Sequence, residues 1–128
     1  MGKKYLLDSN VIIGYLAGKI PQNGMKIISE MVDMIPNISV ISQIEVLRFN
    51  NTSENEAILE KFINTSLIYP LNNNVVKQTI ELCKQKKIKL PDAIIAATAL
   101  TESFILATHN INDFKGIHNL ELLDPFTL

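Results

Sequence analysis

Short apolar runs alternate along this chain with longer stretches in which apolar residues recur every three or four positions. Lys4 to Leu7 is an apolar run that stops at Asp8 and predicts a buried strand. Ser9 is placed to cap a helix from Asn10 to Ala17, closed by Gly18 with Pro21 beyond. Met25, Ile28, Met31, Val32 and Ile35 recur at helical spacing, and Pro36 ends that helix. Ile38 to Ile41 predicts a second strand. Ser42 with Glu45 matches a capping box opening a helix to about Phe49, and Ser53 with Glu56 matches another, opening Glu54 to Asn64. In the latter Ile58, Leu59 and Phe62 form the apolar stripe. Leu67 to Tyr69 is a third strand, stopped by Pro70. Asn74 to Lys86 reads as a helix with Val75, Val76, Ile80 and Cys83 on one side. Pro91 suits the first helical position before Asp92 to Thr101. Phe104 to Ala107 is a fourth strand and Leu120 to Leu123 a short terminal one. Strands alternating with helices predict an α/β sandwich around a mainly parallel sheet of about five strands.

Composition narrows the class. The chain has 128 residues, the size of one domain, taken as residues 1–128. A hydrophobic content of 47% and a mean hydropathy of +0.17 exclude a disordered chain. A single cysteine, Cys83, excludes an intrachain disulfide and a cysteine-based metal site. No apolar stretch approaches the length of a membrane span, and the N-terminal run is too short for a signal peptide. A soluble protein of the cytoplasm, with no membrane partner, is the expectation. The 12 basic residues face 13 acidic ones, for a net charge of -1. On its face this argues against nucleic acid, whose binders carry a positive excess.

The acidic residues are not scattered evenly over the predicted fold. In an open parallel sheet, ligands bind beyond the carboxyl ends of the strands. Asp8 ends the first strand, Glu45 lies just past the second in the first turn of its helix, and Asp113 follows the fourth. Asp92 begins the helix that leads back to the fourth strand, which puts it at the same edge. Each has a plain alternative. Asp8 fits a turn, Glu45 a capping box with Arg48 one turn on, Asp92 a helix start favoured by the dipole, and Asp113 a turn or the cap of a segment from Phe114 to Ile117. None of these alternatives accounts for the shared rim. Crowded carboxylates repel one another and are relieved by a divalent cation. An all-oxygen set favours Mg²⁺ or Mn²⁺. That chemistry suits phosphodiester hydrolysis by an activated water, with one ion or with two about 3.5–4 Å apart.

Three segments carry a resemblance. Leu6-Leu7-Asp8-Ser9-Asn10-Val11-Ile12-Ile13 resembles the opening motif of PIN-domain ribonucleases. Leu90-Pro91-Asp92-Ala93-Ile94-Ile95-Ala96-Ala97-Thr98-Ala99 resembles the third-carboxylate motif of the VapC-type toxins of that family. Ala107-Thr108-His109-Asn110-Ile111-Asn112-Asp113-Phe114, with Gly116-Ile117 and Leu120 to Pro125, resembles their closing segment. The second motif, Ile41 to Phe49, is looser. The resemblance implies a PIN-like three-layer sandwich and a Mg²⁺-dependent endoribonuclease with Asp8, Glu45, Asp92 and Asp113 as the acidic quartet. It implies that Asp8 and Asp92 bind metal most directly and that Glu45 and Asp113 orient water or a second ion. Asn10 and Thr108 match polar positions that hydrogen-bond around the site. His109 stands where the family often has Arg, and reads either as a phosphate or proton contact or as a plain polar loop residue. The resemblance further implies a toxin that cleaves a structured RNA (tRNA or rRNA), a homodimer and a cognate antitoxin. A non-toxin RNA-processing nuclease and a catalytically silent partner-binding module are the alternatives.

Substrate contact calls for positive charge outside the acidic pocket. Lys84, Lys86, Lys87 and Lys89 precede Asp92 and are placed to flank the cleft, although an exposed helix end explains some of them equally well. Lys115 lies beside Asp113, within reach of a phosphate. Aromatic residues are only 6% of the chain, with no Trp, which disfavours reading of unpaired bases by stacking and favours recognition of shape. Ile12, Ile13, Leu16, Ile27, Met31 and Met34 are candidates for interfaces, with core packing expected to claim most of them. Once the four site carboxylates are set aside, 12 basic residues face 9 acidic ones, and the charge no longer argues against RNA.

Overall fold

A computed structural model of the protein describes residues 3–48 and 50–128; Phe49, at the expected end of the third helix, lies outside them. Five strands form one sheet in the order β3-β2-β1-β4-β5: β1 (Tyr5–Leu7), β2 (Asn37–Ser39), β3 (Leu67–Tyr69), β4 (Ile105–Ala107) and β5 (Leu122–Leu123). Every pairing is parallel. Among the described residues the helices are α1 (Ser9–Leu16), α2 (Gln22–Asp33), α3 (Val40–Leu47), α4 (Ser53–Asn64), α5 (Asn73–Gln85), α6 (Leu90–Glu102) and α7 (Ile111–Phe114).

The pleat of the central strands sorts the core into two halves, because successive side chains leave a strand on opposite faces. Leu6 and Leu106 join Val75, Leu82, Ile95 and Phe114 beneath α5 and α6. Leu7, Ile38 and Ala107 join Val11, Ile12, Ile28, Val46 and Phe62 beneath α1 to α4. The result is the expected three-layer α/β sandwich. On α6 the residues from Ala93 to Ala99 are all buried, and the small alanines let that helix lie close to the sheet.

Several boundaries differ from the sequence reading, each for a local reason. The apolar β-branched run Ile38 to Ile41 reads as one strand. The strand nevertheless ends at Ser39, whose hydroxyl oxygen accepts the Ile41 N–H at 3.1 Å and starts α3 there. Ser42 is therefore no cap. It is buried, and among the described residues its hydroxyl has no hydrogen-bond partner. Thr52 rather than Ser53 caps α4, accepting the Asn55 N–H at 3.2 Å. Asp8 rather than Ser9 caps α1. On α5 the buried face is Val75, Thr79 and Leu82, while Val76, Ile80 and Cys83 are exposed. Helix α2 stops at Asp33, which leaves Met34 and Ile35 in solvent. Of the interface candidates, Ile12 belongs to the core and Ile13 is 41% exposed.

Strand order sets the functional edge. From the central β1 the chain winds outward to β2 and β3, then returns to place β4 on the other side of β1. The reversal leaves a crevice beyond the carboxyl ends of β1 and β4, the customary ligand position of such sheets. Leu7 pairs with Ala107 at those ends, so Asp8 and Thr108 emerge side by side.

Candidate active site

Asp8 leaves the sheet with its main-chain N–H donated to the Ala107 carbonyl at 3.0 Å. Its side chain is buried at 4% exposure and accepts three hydrogen bonds. Ser9 N–H donates to Oδ1 at 2.8 Å, while the Asn10 amide at 3.2 Å and the Thr108 hydroxyl at 2.8 Å donate to Oδ2. Burial pushes the Asp8 carboxyl above its ordinary 3.8. The Thr108 and Ser9 hydrogen bonds oppose the rise, the negative charge of Glu45 adds to it, and Asn10 opposes it. The carboxylate is thus rigidly aimed and electrostatically strained.

Asp92 sits in the first turn of α6, whose start is set by Pro91. Burial raises its pKa above 3.8, and the charges of Asp113 and Asp8 raise it further, while Lys89 lowers it. Glu45 lies in the second turn of α3, later than the sequence reading places it, and its Oε1 accepts the Ser9 hydroxyl at 3.1 Å. Asp113 is exposed on α7. Ser9 bonds both Asp8 and Glu45, Asp92 and Asp113 line one cleft, and the charge of Asp8 bears on Asp92, so the four carboxylates lie along one edge.

Asn10 and Thr108 do more than border the site. Asn10 donates to Asp8 and accepts the His109 N–H on Oδ1 at 3.0 Å. Thr108 donates to Asp8 and accepts the Asn110 N–H at 3.0 Å. Both therefore fix the carboxylate through bonds that also tie down the neighbouring loop. Lys86, Lys87 and Lys89 line a cleft of about 380 Å³ together with Asp92, Asn112 and Asp113; Lys84 and Lys115 do not line it. The Lys115 carbonyl instead accepts the Lys86 ammonium at 3.2 Å. Two roles escape the sequence reading. Ser9 reads as a helix cap, but its hydroxyl reaches Glu45. Asp124 falls in the closing segment without a task, yet it meets His109 at 3.1 Å. Nothing local in the sequence announces either contact.

The donor set is entirely oxygen and anionic, which suits a hard divalent cation. Among the described residues no three His, Cys, Asp or Glu side chains form a group able to hold one ion between them. Mg²⁺ does not need such a group, since it keeps several waters and takes one or two carboxylates directly. Two repelling aspartates with further carboxylates nearby fit that demand.

The PIN domain profile matches residues 5–118. The chain belongs to the PIN-domain family. Its PIN fold is similar to solved structures over nearly its whole length. A toxin–antitoxin complex from Klebsiella pneumoniae contains a chain 28% identical, with a TM-score of 0.79 and coverage of 98% of this chain and 100% of that one. A VapBC complex from nontypeable Haemophilus influenzae matches at 25% identity and a TM-score of 0.72, covering 94% and 96%. DNA-bound VapBC from Salmonella typhimurium matches at 22% identity and a TM-score of 0.78, covering 96% and 98%, a likeness of fold. No curated protein matches the sequence. Among the described residues of this PIN domain no helix is long and apolar enough to cross a membrane.

Proposed function

We propose that this chain, acting as one PIN domain, is the toxin of a toxin–antitoxin pair and a Mg²⁺-dependent endoribonuclease of the cytoplasm. Its target is a structured RNA such as tRNA or rRNA. The observation that carries the reading is the placement of Asp8, held by Thr108 across the β1–β4 seam, with Asp92 at the start of α6, beside the crevice where the strand order reverses. Asp8 and Asp92 would hold Mg²⁺, or Mn²⁺ in its place, and Glu45 and Asp113 would accept hydrogen bonds from the surrounding water. When bound, the ion supplies a water of lowered pKa and polarises the phosphoryl oxygen. Ser9, Asn10 and Thr108 keep Asp8 from turning, and Ser9 also holds Glu45. Lys86, Lys87 and Lys89 neutralise phosphates entering the cleft.

The similarity to chains of toxin–antitoxin complexes supports an antitoxin partner. An apolar groove of about 310 Å³ between α1 and α4, lined by Ile13, Leu16, Ile58 and Leu59, offers it a seat. The exposed Val76 and Ile80 of α5 support a homodimer.

The test is cleavage of a structured RNA by purified, antitoxin-free protein in Mg²⁺, in chelator, and with Asp8→Ala and Asp92→Asn. Metal-dependent cleavage lost in both variants is the expected result. Equal activity in the variants overturns the site. No cleavage by any of the proteins on total cellular RNA overturns the nuclease.

A further inference from the structure

His109 follows Thr108 at the mouth of the crevice, and the structure holds its ring on two sides. Its Nδ1 lies 3.2 and 3.1 Å from Oδ1 and Oδ2 of Asp124. Asp124 is itself largely buried, with 11% of its side chain exposed, and its Oδ1 accepts the Phe126 N–H at 2.9 Å. The imidazole packs on the Phe126 ring with 4.4 Å between centroids. Phe126 in turn sits against Gly14 of α1, where a Cβ would meet its Cζ at 2.6 Å. Half of the His109 side chain (51%) is in solvent. The His109 main chain is one amide away from Asp8, because its N–H donates to Asn10, which donates to Asp8.

We infer that His109 is a phosphate-contacting residue for RNA flanking the cut, and that Asp124 is the residue that positions it. The inference rests on the nuclease reading above. An ionised carboxylate only accepts, so Asp124 orients the ring with a proton on Nδ1. In the imidazolium both ring nitrogens donate. Nδ1 is engaged by Asp124, and Nε2, without a hydrogen bond among the described residues, is left for a phosphate oxygen. A free surface histidine would first have to surrender rotamer freedom, whereas this ring is already fixed by Asp124 and Phe126. The contact would be separate from those of Lys86, Lys87 and Lys89, because the His109 ring packs on Phe126 of the C-terminal segment while the lysines line the cleft with Asp92, Asn112 and Asp113. A phosphate chain crossing the crevice would then meet the lysines of the cleft and the His109 ring in turn.

Steady-state cleavage of an RNA hairpin tests this with wild type, His109→Gln, His109→Arg and Asp124→Asn, each checked for an unchanged melting temperature. His109→Gln should raise KM about tenfold with kcat within about twofold, and His109→Arg should restore KM. Asp124→Asn should raise KM less, about threefold. Unchanged KM in His109→Gln, or His109→Arg no better than His109→Gln, overturns the proposal. A second measurement needs no catalysis. The chain has two histidines, so titrating metal-free protein with the same hairpin should shift the His109 ring resonances and leave those of His118 in place. If no protein cleaves but the His109 shift and the affinity loss in His109→Gln persist, the nuclease reading fails and the phosphate contact stands. If the hairpin binds metal-free protein without moving the His109 resonances, or fails to bind it at all, the contact is overturned.

Discussion

The Thr108 hydroxyl donates to Asp8 Oδ2 across 2.8 Å, joining residues 100 positions apart in the sequence. The bond exists because β1 and β4 are adjacent and in register, so that the residues following Leu7 and Ala107 meet. It is a buried bond to an anion, and it works against the burial that raises the Asp8 pKa.

Replacing Thr108 with Val keeps the shape and removes that donor. Asp8 then loses its largest stabilising influence as an anion and its pKa rises further. The acid limb of the cleavage–pH profile should move to higher pH. Affinity for Mn²⁺, measured by calorimetry, should fall about 10–100-fold, the range typical of groups that orient a metal ligand.

Asp92→Asn separates activity from stability. The Asp92 pKa is raised in the folded protein, by burial and then by Asp113 and Asp8. Above the ordinary 3.8 the unfolded chain gives up this proton while the folded chain still holds it. Stability therefore falls as pH rises from 3.8 through the raised value, and stays lower above it. The metal-free Asn variant should melt above wild type at neutral pH, with the difference shrinking toward pH 3.8. Mg²⁺ should raise the wild-type Tm and leave the variant nearly unmoved, and the variant should not cleave RNA.

Ser9→Ala tests the place of Glu45. The Ser9 hydroxyl holds Glu45 at 3.1 Å, while the Ser9 main-chain N–H still serves Asp8. Cleavage should drop by less than in Asp8→Ala, and the half-saturating Mg²⁺ concentration should rise. A kinetic titration of Mg²⁺ against both variants reads the difference.

Gly24→Ala addresses the C-terminal segment. A Cβ on Gly24 would fall within the van der Waals radius of the Pro125 carbonyl oxygen, a main-chain atom that cannot swing aside. The cost is expected at about 1–3 kcal/mol, as for other overpacked sites. Thermal melting checks it. The same displacement would loosen Asp124 and should raise KM in step with His109→Gln.

Much of this protein was legible in its sequence. Asp8 after an apolar run, Pro91-Asp92 at a helix start and Asp113 after the last long strand located the acidic edge. Those signals are local, because a strand end, a helix start and a proline each leave a mark within a few residues. The alternation of strands and helices likewise set the three layers. Tertiary structure alone decided three other matters. It gave Ser9 to Glu45 rather than to a cap, and on α5 it buried Thr79 and Leu82 beside the expected Val75 while leaving Val76, Ile80 and Cys83 exposed. It also brought Asp124 to His109. Each of these depends on which element the chain packs against, and a helix with apolar residues on two faces, or a polar residue in a loop, carries no record of its eventual neighbour.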